Sequence, residues 1–133
     1  MIELYSKNIN VNENEAVPFN NVALFKGNYV TQAGAATIQF NHCGVYRVNL
    51  TGSISGTGDL ALQFVKDGVV LPQTETPITG TADADIPFAI ETLVQVSKNN
   101  GPKCCQSPTE LQVINAGVAA TFALADIKIT KVC

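Results

Sequence analysis

Clustered positive charge is the first thing this sequence does without. Its eight lysines and arginines are scattered singly from Lys7 to Lys131, set against eleven carboxylates, for a formal charge of −3. Proteins that bind nucleic acid draw most of their affinity from grouped cations neutralising phosphates, so no nucleic-acid partner is expected. No apolar run approaches the length needed to cross a bilayer, and membrane insertion is not expected either. The opening residues, Met-Ile-Glu-Leu-Tyr-Ser-Lys, contain no basic segment followed by an apolar stretch, so a secretion signal is not expected there. A sustained helical period with caps is also missing. Gly, Pro and Asn clusters recur between short apolar runs instead, which predicts an all-β chain.

What the sequence does have is apolar residues. At 133 residues it fits one domain with a continuous core, and 46% hydrophobic against 14% charged residues is apolar for that size. Part of its surface is therefore expected to be covered by association. The clearest single element is Cys43 to Ser55. Tyr46, Val48 and Leu50 fall on one face and Arg47, Asn49 and Thr51 on the other, the period of a strand with one face buried.

Before it, residues 1–15 combine a short alternation (Ile2, Leu4) with the polar run Asn8 to Glu15, and read as an extended N-terminal arm, leaving 16–133 as the domain. Val17-Pro-Phe-Asn begins a set of short β pieces in which Pro18 marks an edge or a strand start. Thr37 to Asn41 alternates, with Ile38 and Phe40 on one face. Beyond the central strand, Leu60, Leu62 and Phe64 alternate up to Lys66-Asp67-Gly68, a hairpin signal because Gly accepts the positive φ of such turns. Residues 73–85 read as a loop. Ile86 to Ser97 is a second long strand with Phe88, Ile90, Thr92, Val94 and Val96 on one side, and Glu110 to Ile114 is a short one. Asn115-Ala-Gly117 turns into the last strand, Ala119 to Val132. There Ala123, Ala125, Ile127 and Ile129 form one apolar face, while Phe122 and Leu124 point the other way. A sheet apolar on both faces needs cover on both, and in a chain without helices a second subunit is the simplest cover.

The order Val17-Pro18-Phe19-Asn20, Tyr29, an alternating strand ending in Phe40, Gly44-Val45-Tyr46 and an apolar terminal strand resembles the globular domain of complement C1q and its tumour necrosis factor relatives. The resemblance spans nearly the whole chain. It implies a ten-stranded, two-sheet antiparallel jelly roll assembled as a homotrimer around an apolar axis, with Phe122 and Leu124 at the subunit interface. No Gly-X-Y repeat occurs, so the collagen-like stalk of the animal proteins is absent from this sequence. Stand-alone domains of this kind resemble spore-surface, adhesion and virion-surface proteins.

The same resemblance places the terminal strand beside the Gly-Val-Tyr strand, and that strand beside Ile86 to Ser97. Cys43, Cys133 and the loop carrying Cys104 and Cys105 then meet at one end of the sheet. Three states stay open. Cys43 and Cys133 can each bridge one of the adjacent pair, since a bridge between neighbours in sequence is strained; all four can be free buried thiols; or the four can hold a metal, with His42 as a further ligand. No known zinc-ribbon spacing is matched.

Other constellations carry little. His42 and Cys43 are strand neighbours that point apart, which argues against a nucleophile and base pair, and no third orienting group is evident. Asp83 and Asp85 are two carboxylates in a loop, weak candidates for calcium. Gly56-Thr-Gly58 lacks the lysine and following helix of a phosphate loop. With no cofactor and no catalytic set, a non-enzyme is expected: a trimeric bacteriophage structural protein on the virion surface, as capsid decoration or head fibre, assembled in the host cytoplasm and contacting other virion proteins. The alternative is a bacterial surface or adhesion module recognising a glycan or protein.

Overall fold

The computed structural model describes residues 2–26, 30–56, 58–80, 85–96 and 109–132. Two antiparallel sheets pack face to face. The first holds β1 (Ile2–Val11), β2 (Asn21–Phe25), β5 (Gly44–Ser55), β9 (Ile86–Val96) and β11 (Ala120–Lys131), in the order β2-β1-β11-β5-β9. The second holds β3 (Val30–Gly34), β4 (Thr37–Phe40), β6 (Gly58–Lys66), β7 (Val69–Val70) and β10 (Thr109–Asn115), ordered β3-β4-β10-β6-β7, with β8 (Thr76–Gly80) paired to the first half of β6. A single 3₁₀ turn, Pro72–Thr74, is the only helical element among the described residues.

The long alternating runs form strands because each supplies one buried face. Tyr46, Val48, Leu50 and Ile54 of β5 meet Leu60, Leu62 and Phe64 of β6 and Leu111 and Val113 of β10 in a common core. Phe40 and Tyr46, the ends of the phenylalanine strand and of Gly-Val-Tyr, are both fully buried, with ring centroids 4.6 Å apart across the two sheets. Val17-Pro-Phe-Asn crosses between the sheets. The Val17 N–H donates to Val113 O and the Phe19 N–H to Ala35 O, while the buried Ser6 hydroxyl donates to Pro18 O and accepts from the Asn20 N–H, so the crossing segment keeps its backbone groups paired. Asp67 and Gly68 both adopt positive φ, 50° and 81°, and close the β6–β7 hairpin as the Asp-Gly signal predicts.

Three expectations need correction. Residues 2–11 are not an arm: they form β1, an inner strand between β2 and β11 with Ile2, Leu4 and Val11 in the core, so the sandwich starts at Ile2. The polar residues from Asn8 hid this, because Lys7 and Asn8 point out together and break the alternation. Residues 76–80 are a strand and not a loop, held by pairing with β6 despite Pro77. Phe122 is not on the outer face: it is fully buried and meets Phe88 edge-on, ring centroids 5.9 Å apart.

The last correction has a single cause. Ala123 is the extra residue of a bulge, since Phe122 stands opposite Ile54 while Leu124 stands opposite Ser53. Ala120 and Phe122 therefore face the core before the bulge, and Ala125, Ile127 and Ile129 face it after. β1 changes phase at the same level, through Asn8 at φ 55°, so its register with β11 runs unbroken from Ile2↔Ile129 to Val11↔Ala120. Gly52 makes room for the bulge. A Cβ there would lie 2.0 Å from Leu124 O and 3.1 Å from the Phe88 ring, and its φ of +156° disfavours any side chain. Gly52→Ala is expected to destabilise the fold by roughly 2 to 4 kcal/mol, from the clash plus backbone strain, read as a drop in the urea midpoint. An unchanged midpoint would mean that the bulge is not where β5 and β11 place it.

Candidate functional site

The outer face of the β2-β1-β11-β5-β9 sheet is a continuous surface whose side chains are set by strand register. Its middle is polar. Glu91, Asn49, Lys128 and Glu3 follow one another across β9, β5, β11 and β1, and Ala89, Thr51, Asp126 and Tyr5 form the next row. Arg47 Nε lies 3.5 Å from Glu91 Oε1, and Lys128 Nζ lies 3.9 Å from Glu3 Oε2. Both pairs are partly exposed and contribute little to stability. The apolar residues sit around this polar middle. Leu93 is 57% exposed, and Leu124 is half-buried beside the bulge. Edge strand β2 adds Leu24, opposite Glu3, while its exposed Val22 and Phe25 stand opposite the buried Leu4 and Ile2 and so face the other side of the sheet; Val132 follows the end of β11. Of the seven large exposed hydrophobic residues among the described ones, these five belong to this sheet or its strand ends; Val69 and Val70 are the other two.

Asp126 on this face is a perturbed acid. Its Oδ1 is buried and receives no hydrogen bond, and its carboxyl is pushed up to about 6 from its ordinary value of 3.8. Desolvation by burial is the main cause. The side-chain hydrogen bond with Glu3 and the Glu3 charge add to it, and the Lys128 ammonium opposes it. A proton held between the two carboxyls provides a bond that two carboxylates cannot make. No sequence pattern signals this pair, because Glu3 and Asp126 are 123 positions apart and meet only through the β1–β11 register.

At the end of the sheet, Cys43 is half-buried ahead of β5. Cys104, Cys105 and Cys133 lie outside the described residues, so the expected convergence of all four, and a metal among them, has no geometry to report. His42 is exposed, and its carbonyl accepts a 2.6 Å hydrogen bond from the Tyr46 hydroxyl, which fixes the chain entering β5. Among the described residues no group of three or more His, Cys, Asp or Glu side chains could hold a metal ion. Asp85 is exposed; Asp83 and Tyr29 lie outside the described residues.

Two stacked antiparallel sheets with this strand order define a jelly-roll sandwich, and the solved structures it superposes on make it a C1q/TNF-like one. The globular domain of zebrafish complement 1qA matches with a TM-score of 0.72 at 12% identity, covering 99% of this chain and 96% of that one. Murine APRIL matches at 0.70 and 11% identity, covering 98% of each. Eiger TNF from S. frugiperda matches at 0.58 and 12% identity, over 99% and 92%. Identities this low establish the fold alone. No family model and no curated protein sequence matches the chain.

The raised Asp126 pKa sets a pH dependence opposite to that of a salt-bridged carboxylate. The folded state holds the proton more tightly than the unfolded chain, so this contribution to stability is full below about 3.8 and is lost as pH rises through about 6. Urea titrations between pH 4 and pH 7 are expected to show wild type losing stability relative to Asp126→Asn as pH rises. A difference between the two proteins that stays constant over that range would place the titration elsewhere.

Proposed function

We propose that the chain is a non-enzymatic structural domain that assembles as a homotrimer through the outer face of the β2-β1-β11-β5-β9 sheet, serving on a bacteriophage particle as capsid decoration or head fibre. The observation that carries the assembly is the set of apolar residues around the polar middle of that face, Leu24, Leu93 and Leu124, on a C1q/TNF-like fold. Covering Leu93, Leu124 and Leu24 removes apolar surface from water, while the polar middle supplies pairs that fix orientation. Phe122 supports this face from within, packed under it against Phe88. The virion setting rests on the resemblance of small stand-alone domains of this kind to particle-surface proteins.

Light scattering is expected to give three times the 14.1 kDa chain mass, falling toward one chain for Leu93→Asp. A single-chain mass for wild type would sink the assembly. Cryo-electron microscopy of purified particles tests the setting, and glycan-array binding without particle association would replace it with an adhesion module. Of the cysteines, Cys43 is proposed to bridge one of Cys104 and Cys105, and Cys133 the other, tying the chain end and the preceding loop to the start of β5; each bridge contributes roughly 2 to 4 kcal/mol. Peptide mapping without reductant is expected to recover these two bridges, whereas four alkylatable thiols would contradict them.

A further inference from the structure

The opposite sheet carries a hollow that the assembly face does not use. On its outer surface Pro77 of β8 stands opposite Ala61 of β6, and the Ala116 N–H donates to Ala61 O from the other side. Three short side chains in one row leave a depression across β6. It holds two adjoining clefts of about 400 and 330 Å³ that share these three residues. Both walls are fixed by buried polar side chains. Asn115 is fully buried: its Nδ2 donates to Val11 O and Val118 O, and its Oδ1 accepts from the Gly117 N–H. The turn can lie this close because residue 117 is glycine, where a Cβ would be 2.4 Å from Asp59 O. On the other side Thr74, 1% exposed, accepts from the Phe64 N–H and donates to Leu71 O, fixing the segment that presents Glu75. Two of the three buried polar residues among the described ones are thus used to shape this hollow.

Its charge has one sign. Glu13 and Asp59 line one cleft and Glu75 the other, and among the described residues no lysine, arginine or histidine lines either. These carboxylates do not form a metal-holding group, and between them lie Ala61, Pro77 and Ile78. An apolar floor between separated carboxylates fits a long aliphatic stem that carries a cation, and does not suit a bare ion. A second copy of this chain, itself at −3, is electrostatically unsuited to it.

We propose that this cleft docks a lysine- or arginine-bearing segment of a partner protein, with the aliphatic stem over Ala61 and Pro77 and the cationic head at Glu75 or at Asp59 and Glu13. Because the cleft lies on the sheet opposite the assembly face, it stays open in a trimer.

The test is an NMR titration of the intact protein with a capped hexalysine peptide, and with the same peptide fully Nε-acetylated. Shifts are expected to cluster at Asp59 to Gln63, Thr76 to Ile78 and Ala116 to Val118, to vanish with the acetylated peptide, and to weaken as salt rises. The double variant Asp59→Asn, Glu75→Gln changes exposed residues only, and its spectrum reports its fold; it is expected to bind at least tenfold more weakly, whereas Glu91→Gln on the other sheet binds as wild type. Equal affinity for the double variant, or shifts spread over the other acidic positions, overturns the proposal. A single-chain mass with localised peptide binding would sink the trimer and leave this site standing.

Discussion

The structure depends on one shared irregularity in the middle of a sheet. β1 and β11 both change face half-way along, and they do so together, so their mutual register survives while β11 slips by one residue against β5. Without the bulge at Ala123, either Phe122 or the series Ala125, Ile127 and Ile129 would point away from the core. A one-residue slip in a strand reverses every side chain beyond it, so the bulge lets a twelve-residue strand serve one core along its whole length. Gly52 is its counterpart in β5, an inward position left empty so that the Leu124 carbonyl can pass.

The outer face inherits that irregularity. Where two consecutive residues turn outward in each strand, Lys7 and Asn8 in β1 with Ala123 and Leu124 in β11, the face gains side chains that regular alternation would have buried. Beyond it, Glu3, Asp126 and Lys128 crowd into adjacent rows, and one carboxyl loses enough water to favour its protonated form. Covering the face with a second subunit would desolvate Asp126 further, which raises its pKa again and favours assembly in mild acid.

Much of the fold was legible because alternation was long and clean. Cys43 to Ser55, Ile86 to Ser97 and Ala119 to Val132 fall within a residue or two of β5, β9 and β11, and their neighbour order agrees with the resemblance. What failed did so where period two is interrupted. Asn8 in a left-handed conformation made β1 look like an arm, and the bulge made Phe122 look like an interface residue, since a strand with a phase change and a strand apolar on both faces give the same letters. The surfaces were less legible still. Glu3 with Asp126, and Glu13 with Asp59 and Glu75, are brought together by register and turn packing, and no local spacing records either.

The two sheets also differ in how they hold themselves. In the first, the irregular strands are carried by backbone pairing, and the one buried polar residue among those described, Ser6, is turned to the crossing segment at Pro18 and Asn20. In the second, β6 is too long for either neighbour: β10 and its turn cover one edge, while β7, the 3₁₀ turn and β8 share the other. Each break in a flanking strand leaves backbone groups that need partners, and Asn115 and Thr74 supply them. A depression therefore forms where the strand partners give out, and its walls stay rigid because the groups that close it are fully hydrogen-bonded. A smooth sheet would have offered only a flat surface there; the short row of Pro77, Ala61 and Ala116 makes it concave, and concavity beside unpaired carboxylates separates a docking site from an acidic patch.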